Sequence, residues 1–213
     1  VALNSPAKTP TTNNAADNLT TSSTEPVVAC IRGTVLASTP NGVKTLSVGN
    51  AITSETEIVT DQGRVVLALP NDGRLTINSN SSLTFELRHK NILVTLNAGE
   101  IDYQGAGSLT VAAGDVNVTN AKSVDVKRDG NQIIVAVMAK TARVGAKGKT
   151  VLIKAGFQAV VVLGSDTPPR VENFIEQPNS WTADIAPPNR PAQKPPTNKL
   201  DSKQKKLKAN AKR

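Results

Sequence analysis

A chain of 213 residues with three Phe, one Tyr and one Trp must build its interior from Val, Leu, Ile and Ala, which suits thin, repetitive β architectures better than large globules. Nine of its 25 basic side chains and one of its 17 acidic ones follow residue 186, so the net charge of +8 belongs to the tail; residues 1–186 are neutral, which argues against a nucleic-acid-binding body. The single cysteine, Cys30, excludes an intrachain disulfide, and no apolar run reaches the roughly 18 residues of a membrane span.

Residues 1–25 are almost wholly Ala, Asn, Thr, Ser and Pro and read as a flexible arm, because they bury too little apolar area to offset backbone ordering. The chain starts at Val1 and not at Met, which we read as the trace of a removed secretory leader; scarce cysteine then fits bacterial export. Val27-Val28-Ala29-Cys30 has the form of a lipoprotein acceptor box. The polar run from Leu19 to Pro26 lacks a signal's apolar core, however, and the plainer reading is a small, inert thiol at a strand start.

Val27 to Ala37 reads as a first pair of strands. Pro40-Asn41-Gly42 is a hairpin turn, and Val43, Thr45, Leu46 and Val48 follow as a strand. Ile52 to Val59 is extended, and Asp61-Gln62-Gly63 closes it. Val65, Leu67 and Leu69 alternate, Pro70-Asn71-Asp72-Gly73 turns, and Leu75 and Ile77 alternate again. Leu83, Phe85 and Leu87 form the next strand, with a turn at His89-Lys90-Asn91. Ile92, Val94 and Leu96 lead to a break at Ala98-Gly99. Ile101 and Tyr103 precede a second break, Gly105-Ala106-Gly107. Leu109 and Val111, Val116 and Val118, then Val124 and Val126 continue the alternation up to the Asp129-Gly130-Asn131 turn. Ile133, Val135 and Val137 face one side and Ile134, Ala136 and Met138 the other, so this strand reads as central and buried. Val144, Val151-Leu152-Ile153 and Gln158 to Leu163 complete the body.

No window before residue 170 has helical periodicity, and Gly or Asn-Gly and Asp-Gly turns intervene every few residues, so the expected fold is all-β. Leu96-Asn97-Ala98-Gly99-Glu100-Ile101 is echoed by Ile153-Lys154-Ala155-Gly156-Phe157-Gln158, and more weakly by Val48-Gly49-Asn50-Ala51-Ile52. Many short strands in a stacked, solenoid-like or sandwich-like roll follow, the stacked form being preferred. The chain divides into a flexible arm (1–25), a β-domain (26–165), an extension packing on the body through Phe174 and Trp181 (166–186), and a Pro- and Lys-rich basic tail (187–213).

The ordered set Ile31-Arg32-Gly33-Thr34-Val35, Leu46-Ser47-Val48-Gly49, Ile58-Val59-Thr60-Asp61, Arg64 to Leu69, and Asp72-Gly73-Arg74-Leu75-Thr76-Ile77 is similar to the FecR domain. Val94 to Ile101 and Val151 to Gln158 resemble that domain's later segments. The region Thr119 to Val124 departs from the family's R-G-T pattern. The resemblance spans about Ile31 to Leu163 and implies an exported, stand-alone β-domain in the periplasm or on the surface of a bacterium, working by protein or cell-wall interaction without catalysis.

The residues themselves offer little chemistry. His89 is the only histidine, with no second His and no Cys but Cys30 to join it in a metal site. Glu55 with Glu57, and Glu100 with Asp102, share strand faces, but a glycosidase needs two carboxylates across a cleft. Asp61, Asp72 and Asp129 read as turn residues, and no calcium-loop run of acids occurs. Gly105-Ala106-Gly107 lacks the Lys-Ser/Thr of a phosphate loop. Asn18, Asn80 and Asn117 head glycosylation triplets of the kind that chance supplies in a chain this rich in Asn, Ser and Thr. No catalytic residue, metal ligand or cofactor is expected. The candidate site is the tail: Arg190, Lys194, Lys199, Lys203, Lys205, Lys206, Lys208, Lys212 and Arg213 would contact an anionic polymer or surface in a salt-dependent way. The expected role is a non-enzymatic structural or interaction subunit of an envelope assembly, with other envelope proteins or copies of itself as partners. The alternative is a periplasmic sensor or adaptor that binds a cell-wall polymer through its tail.

Overall fold

The computed structural model describes residues 25–88, 91–174 and 180–185. Their strands are β1 (Val27–Arg32), β2 (Leu36–Thr39), β3 (Gly42–Thr45), β4 (Glu57–Val59), β5 (Arg64–Leu69), β6 (Gly73–Ile77), β7 (Ser82–Arg88), β8 (Asn91–Ala113), β9 (Val116–Asp129), β10 (Gln132–Ala139), β11 (Thr141–Ala146), β12 (Lys149–Lys154), β13 (Phe157–Val162) and β14 (Arg170–Asn173). Two 3₁₀ turns, Pro70–Asp72 and Ser180–Ile185, are the only helical pieces among the described residues. The all-β expectation is met: the strands form one branched 14-stranded sheet. The strand pairs within it are antiparallel.

The hairpins follow their turn chemistry. Thr39 pairs with Gly42 across Pro40-Asn41, and Leu69 pairs with Gly73 across the 3₁₀ turn, whose Asp72 takes a positive φ of 58°. The first expected pair does not form. β1 lies against β5, whereas β2 lies between β3 and β4. The sheet also runs past Leu163, because β14 adds to β13.

Two strands are longer than expected. Ala98-Gly99 and Gly105-Ala106-Gly107 do not end a strand but lie inside β8, which continues for 23 residues. Along one edge of β8, Leu96 and its predecessors pair with β7, whereas Ile101 to Gln104 pair with β6. β9 does the same: its Val116–Thr119 half pairs with β11 and its Ser123–Asp129 half with β10. A long strand that changes partner midway carries the sheet from one layer to another, with bulges taking up the bend. The folded sheet encloses one apolar cluster. It runs from Val28, Val35 and Ile58 through Phe85, Leu96 and Ile101 to Val135, Ile153 and Val161, built almost wholly of aliphatic side chains as the aromatic-poor composition requires. β10 is flanked by β9 and β13 on its two edges. Its inner face is fully buried and Ala136 on its other face is 1% exposed.

The three echoed glycines share one backbone state. Gly49, Gly99 and Gly156 have φ of +88°, +86° and +88°. Glycine takes this left-handed conformation without the Cβ clash that other residues meet. The echo therefore marks a recurring backbone kink, which ends β12 at Ala155-Gly156 but lies inside β8 at Ala98-Gly99.

Candidate functional site

On the outer face of the sheet, ladder registers align one row of side chains across neighbouring strands. Cys30 stands opposite Val66, Val66 opposite Thr76, Thr76 opposite Asp102, Asp102 opposite Asp125, and Asp125 opposite Ala136. Their sequence neighbours Ile77, Ile101, Val124 and Val126 face the core, so alternation points this row outward. Yet Val66, Thr76, Asp102, Asp125 and Ala136 are all buried.

The C-terminal strap Ser180–Ile185 lies against this face. Arg64 on β5 donates from Nη1 to both carboxylate oxygens of Asp184, at 3.0 and 2.9 Å, and to the Trp181 carbonyl at 3.3 Å. Its guanidinium carbon sits 6.0 Å from the Trp181 ring centroid. Arg32 on β1 adds a longer contact to Asp184, 3.5 Å, and Ile185 is 1% exposed. The strap thus fastens the chain's C-terminal extension back onto its first and fifth strands.

Under the strap lies a carboxyl cluster. Asp102 and Asp125 are directly opposed on adjacent strands, a placement that is unfavourable for like charges. Glu100 joins them one outward position along β8. Its carboxylate accepts from Asn78 Nδ2 at 2.7 Å, and Asp102 accepts from Gln104 Nε2 at 3.0 Å. Burial pushes the Asp125 carboxyl well above the usual carboxylate range. The charges of Glu100 and Asp102 and a hydrogen bond with Glu100 push the same way; the Trp181 indole N–H pulls against them and does not prevail. Asp125 Oδ2 and Trp181 Nε1 are both buried, and neither completes a hydrogen bond of ordinary geometry. A buried polar group left unsatisfied costs about 1–3 kcal/mol.

The cluster is not a cation cage: among the described residues no group of three or more His, Cys, Asp and Glu is placed to hold a metal. Covered by the strap, it is also not a cleft for a sugar. Elsewhere an open polar trough of about 360 Å³ has Gly145 in its floor, with Arg143, Asn117, Thr119 and Thr150 around it. Lys147 and Lys149 at its rim are held by Asp166, and Asp115 shares the trough, so its charges select neither sign of ligand.

The tail residues predicted to bind an anionic partner, Arg190, Lys194, Lys199, Lys203, Lys205, Lys206, Lys208, Lys212 and Arg213, lie outside the described residues, as do His89, Asn18 and the arm before residue 25. Cys30 is partly buried inside β1, next to a bulge, and Asn80 and Asn117 are exposed. Of the carboxylates weighed in the sequence, Glu100 and Asp102 do converge. Their third partner, Asp125, was hidden between Val124 and Val126 in a plain strand pattern.

No family model matches the chain, and no curated protein matches it. Two crystal structures of candidate anti-sigma factors from Parabacteroides distasonis ATCC 8503 are similar to it, each with a TM-score of 0.47, at 17% and 16% identity. Each match covers 55% of this chain and 59% of the other, so this chain spans less than two thirds of the proteins it resembles.

Proposed function

We propose that this chain is a non-enzymatic, exported bacterial envelope or surface protein that works as an interaction subunit. Its β-body holds the C-terminal extension in place and so presents the basic tail to an acidic partner. The observation that carries this reading is the strap. Arg64 and Arg32 fix Asp184, and Ile185 is buried, immediately before a 27-residue tail (187–213) that holds nine basic side chains and one acidic one. A tail rooted on a rigid body keeps its charges near one face, and clustered exposed charges attract an anionic polymer or protein in a salt-dependent way. The FecR-like motif order supports the exported setting, and the neutral body leaves the tail as the charged element.

A specific observation also favours the structural-subunit form of this reading. The edge strand β3 is exposed at every residue, with Val43 67% exposed and Val48 beyond it 64% exposed. An open edge of this kind can pair with a strand of another subunit. Pull-downs from native envelope extract with the full chain and with a version ending at residue 186, each at low and high salt, separate the two. Capture that needs the tail and disappears in salt supports the tail-presenting adaptor. Capture by both versions that survives salt supports edge pairing. Capture by neither refutes both.

A further inference from the structure

We propose that two copies of this chain pair edge to edge through β14, antiparallel about a two-fold axis at Val171, so that their sheets join. This deepens the structural-subunit form of the reading above: it rests on that form and names both the partner, a second copy, and the edge that receives it.

β14 ends the main strand order of the sheet, and among the described residues it pairs with β13 alone. An edge strand of this kind offers backbone donors and acceptors to another strand. Its four residues are Arg170, Val171, Glu172 and Asn173. With Val171 set opposite its counterpart in the second copy, Arg170 falls opposite Glu172 and Glu172 opposite Arg170. Both charge pairs are then of opposite sign, the favourable cross-strand arrangement. β3, the strand at the other end of that order, has no such solution, because Lys44 is its sole charged residue.

Each face of the pairing has its own complement. On one, Val171 stands opposite Ala159, a core residue, with Phe157 diagonal to it. Val171 is 45% and Phe157 39% exposed, so the apolar layer runs out uncovered at this edge. A second copy brings its own Val171 and Phe157 and carries the layer across the axis. On the other face, Gln158 Nε2 donates to Glu172 Oε1 at 2.9 Å, and Arg170 of the same strand reaches Glu172 at 3.1 Å. Arg170 is the more exposed of that pair, and a guanidinium has donors left for a second carboxylate after one contact. Two copies thus form a ring of two guanidiniums and two carboxylates. Pro168 and Pro169 precede the strand and cannot donate to a ladder, so the pairing stops there. Each β14 is consumed by the other, so association through this edge closes at two copies. A ladder this short gives a concentration-dependent dimer and not a permanent one. Such a dimer carries two basic tails, and an anionic polymer that reaches both is held with avidity.

The experiment is sedimentation velocity of the full chain at about 0.15 M salt, over a concentration series reaching about 1 mM, with far-UV circular dichroism to show that each variant is folded. The wild-type chain should pass from monomer to dimer along the series. Arg170→Glu and Glu172→Arg each set like charges opposite one another in both places, and each should raise the dimer Kd at least about tenfold. Mixing these two variants in equal parts should restore the dimer, because every charge contact across the axis is again of opposite sign; no effect within one chain can do this. Should either reversal fail to fold, Val171→Lys, which sets two lysines face to face on the axis, should abolish the dimer instead. A chain that stays monomeric throughout, variants that associate like wild type, or a mixture no more associated than its components overturns the pairing. Species growing beyond the dimer overturn the two-fold. Monomer in the centrifuge with capture in the pull-downs fails the pairing alone, whereas a dimer with no capture fails the wider reading alone.

Discussion

The shared kink of Gly49, Gly99 and Gly156 allows one contact to be weighed against a matched control. Replacing any of them with Ala imposes a left-handed L-residue, which costs about 1–2 kcal/mol. At Gly156 and Gly49 that is the whole cost, because a Cβ there meets nothing within 4 Å. At Gly99 the Cβ would fall 2.2 Å from Ser81 Oγ and 2.5 Å from Ser81 Cα. The hydroxyl can rotate away, but the Cα cannot. Ser81 is 2% exposed, and its Oγ accepts from the Glu100 backbone N–H at 3.0 Å. Forcing the strands apart therefore adds about 1–3 kcal/mol of overpacking and about 1 kcal/mol for the strained hydrogen bond. Gly99→Ala should thus cost about 3–6 kcal/mol and Gly156→Ala about 1–2 kcal/mol. Urea unfolding followed by far-UV circular dichroism measures both. If Gly99→Ala proves no more destabilising than Gly156→Ala, the close packing of β8 on Ser81 does not hold as described.

Three further outcomes are expected. Asp125→Asn should raise stability at neutral pH and flatten its pH dependence. The wild-type carboxyl is raised in the folded state, so its cost to folding appears as pH climbs above the unfolded carboxylate range and through the folded value; thermal melts at a series of pH values would record it. Phe85→Ala empties a 0% exposed core position and should cost about 3–5 kcal/mol, measurable as a lower urea midpoint at unchanged slope. Arg64→Gln should change global stability by less than about 1 kcal/mol, because Asp184 is half exposed and the pair is solvent-screened; it should still make Trp181 more quenchable by acrylamide, and unchanged quenching would mean that Arg64 does not hold the strap.

Much of the fold was legible in the sequence because period-two alternation and turn residues act locally. Val65-Leu67-Leu69, the Pro70–Asp72 turn and Leu75-Ile77 form the hairpin that their pattern demands. Partner choice was less legible. β1 follows the same alternation whether it lies beside β2 or β5, and nothing local separates the two. The glycine pairs look like strand ends because an isolated Gly weakens a strand; Ala155-Gly156 does end β12, whereas β8 runs on through Ala98-Gly99 and Gly105-Ala106-Gly107, its pairing with β9 interrupted at the second. The strap was partly visible in Trp181, an aromatic beyond the last apolar strand. Its anchors, Arg32 and Arg64, are ordinary surface residues in the linear sequence.

The carboxyl cluster shows why a site can be absent from the sequence yet written into the fold. β8 and β9 meet at Ala113 opposite Val116. Had that register held unbroken, the eleven residues back to Asp102 would be matched by eleven forward to Lys127, and the acid would face a base. It does not hold. β8 carries extra residues around Gly105-Ala106-Gly107, an excursion closed by the Tyr103 hydroxyl donating to the Gly107 carbonyl at 2.8 Å, and Gln104 pairs with Ser123. The net slip leaves the outward faces outward, because it is an even number of residues, but it exchanges Lys127 for Asp125 opposite Asp102. Bulges are built features of sheets more often than defects. Here the bulge replaces an ion pair with two opposed acids, and the chain then lays its one tryptophan over them. An unbroken ladder would have set Asp102 opposite Lys127; the slipped one sets two acids against each other on the face where the strap meets the body.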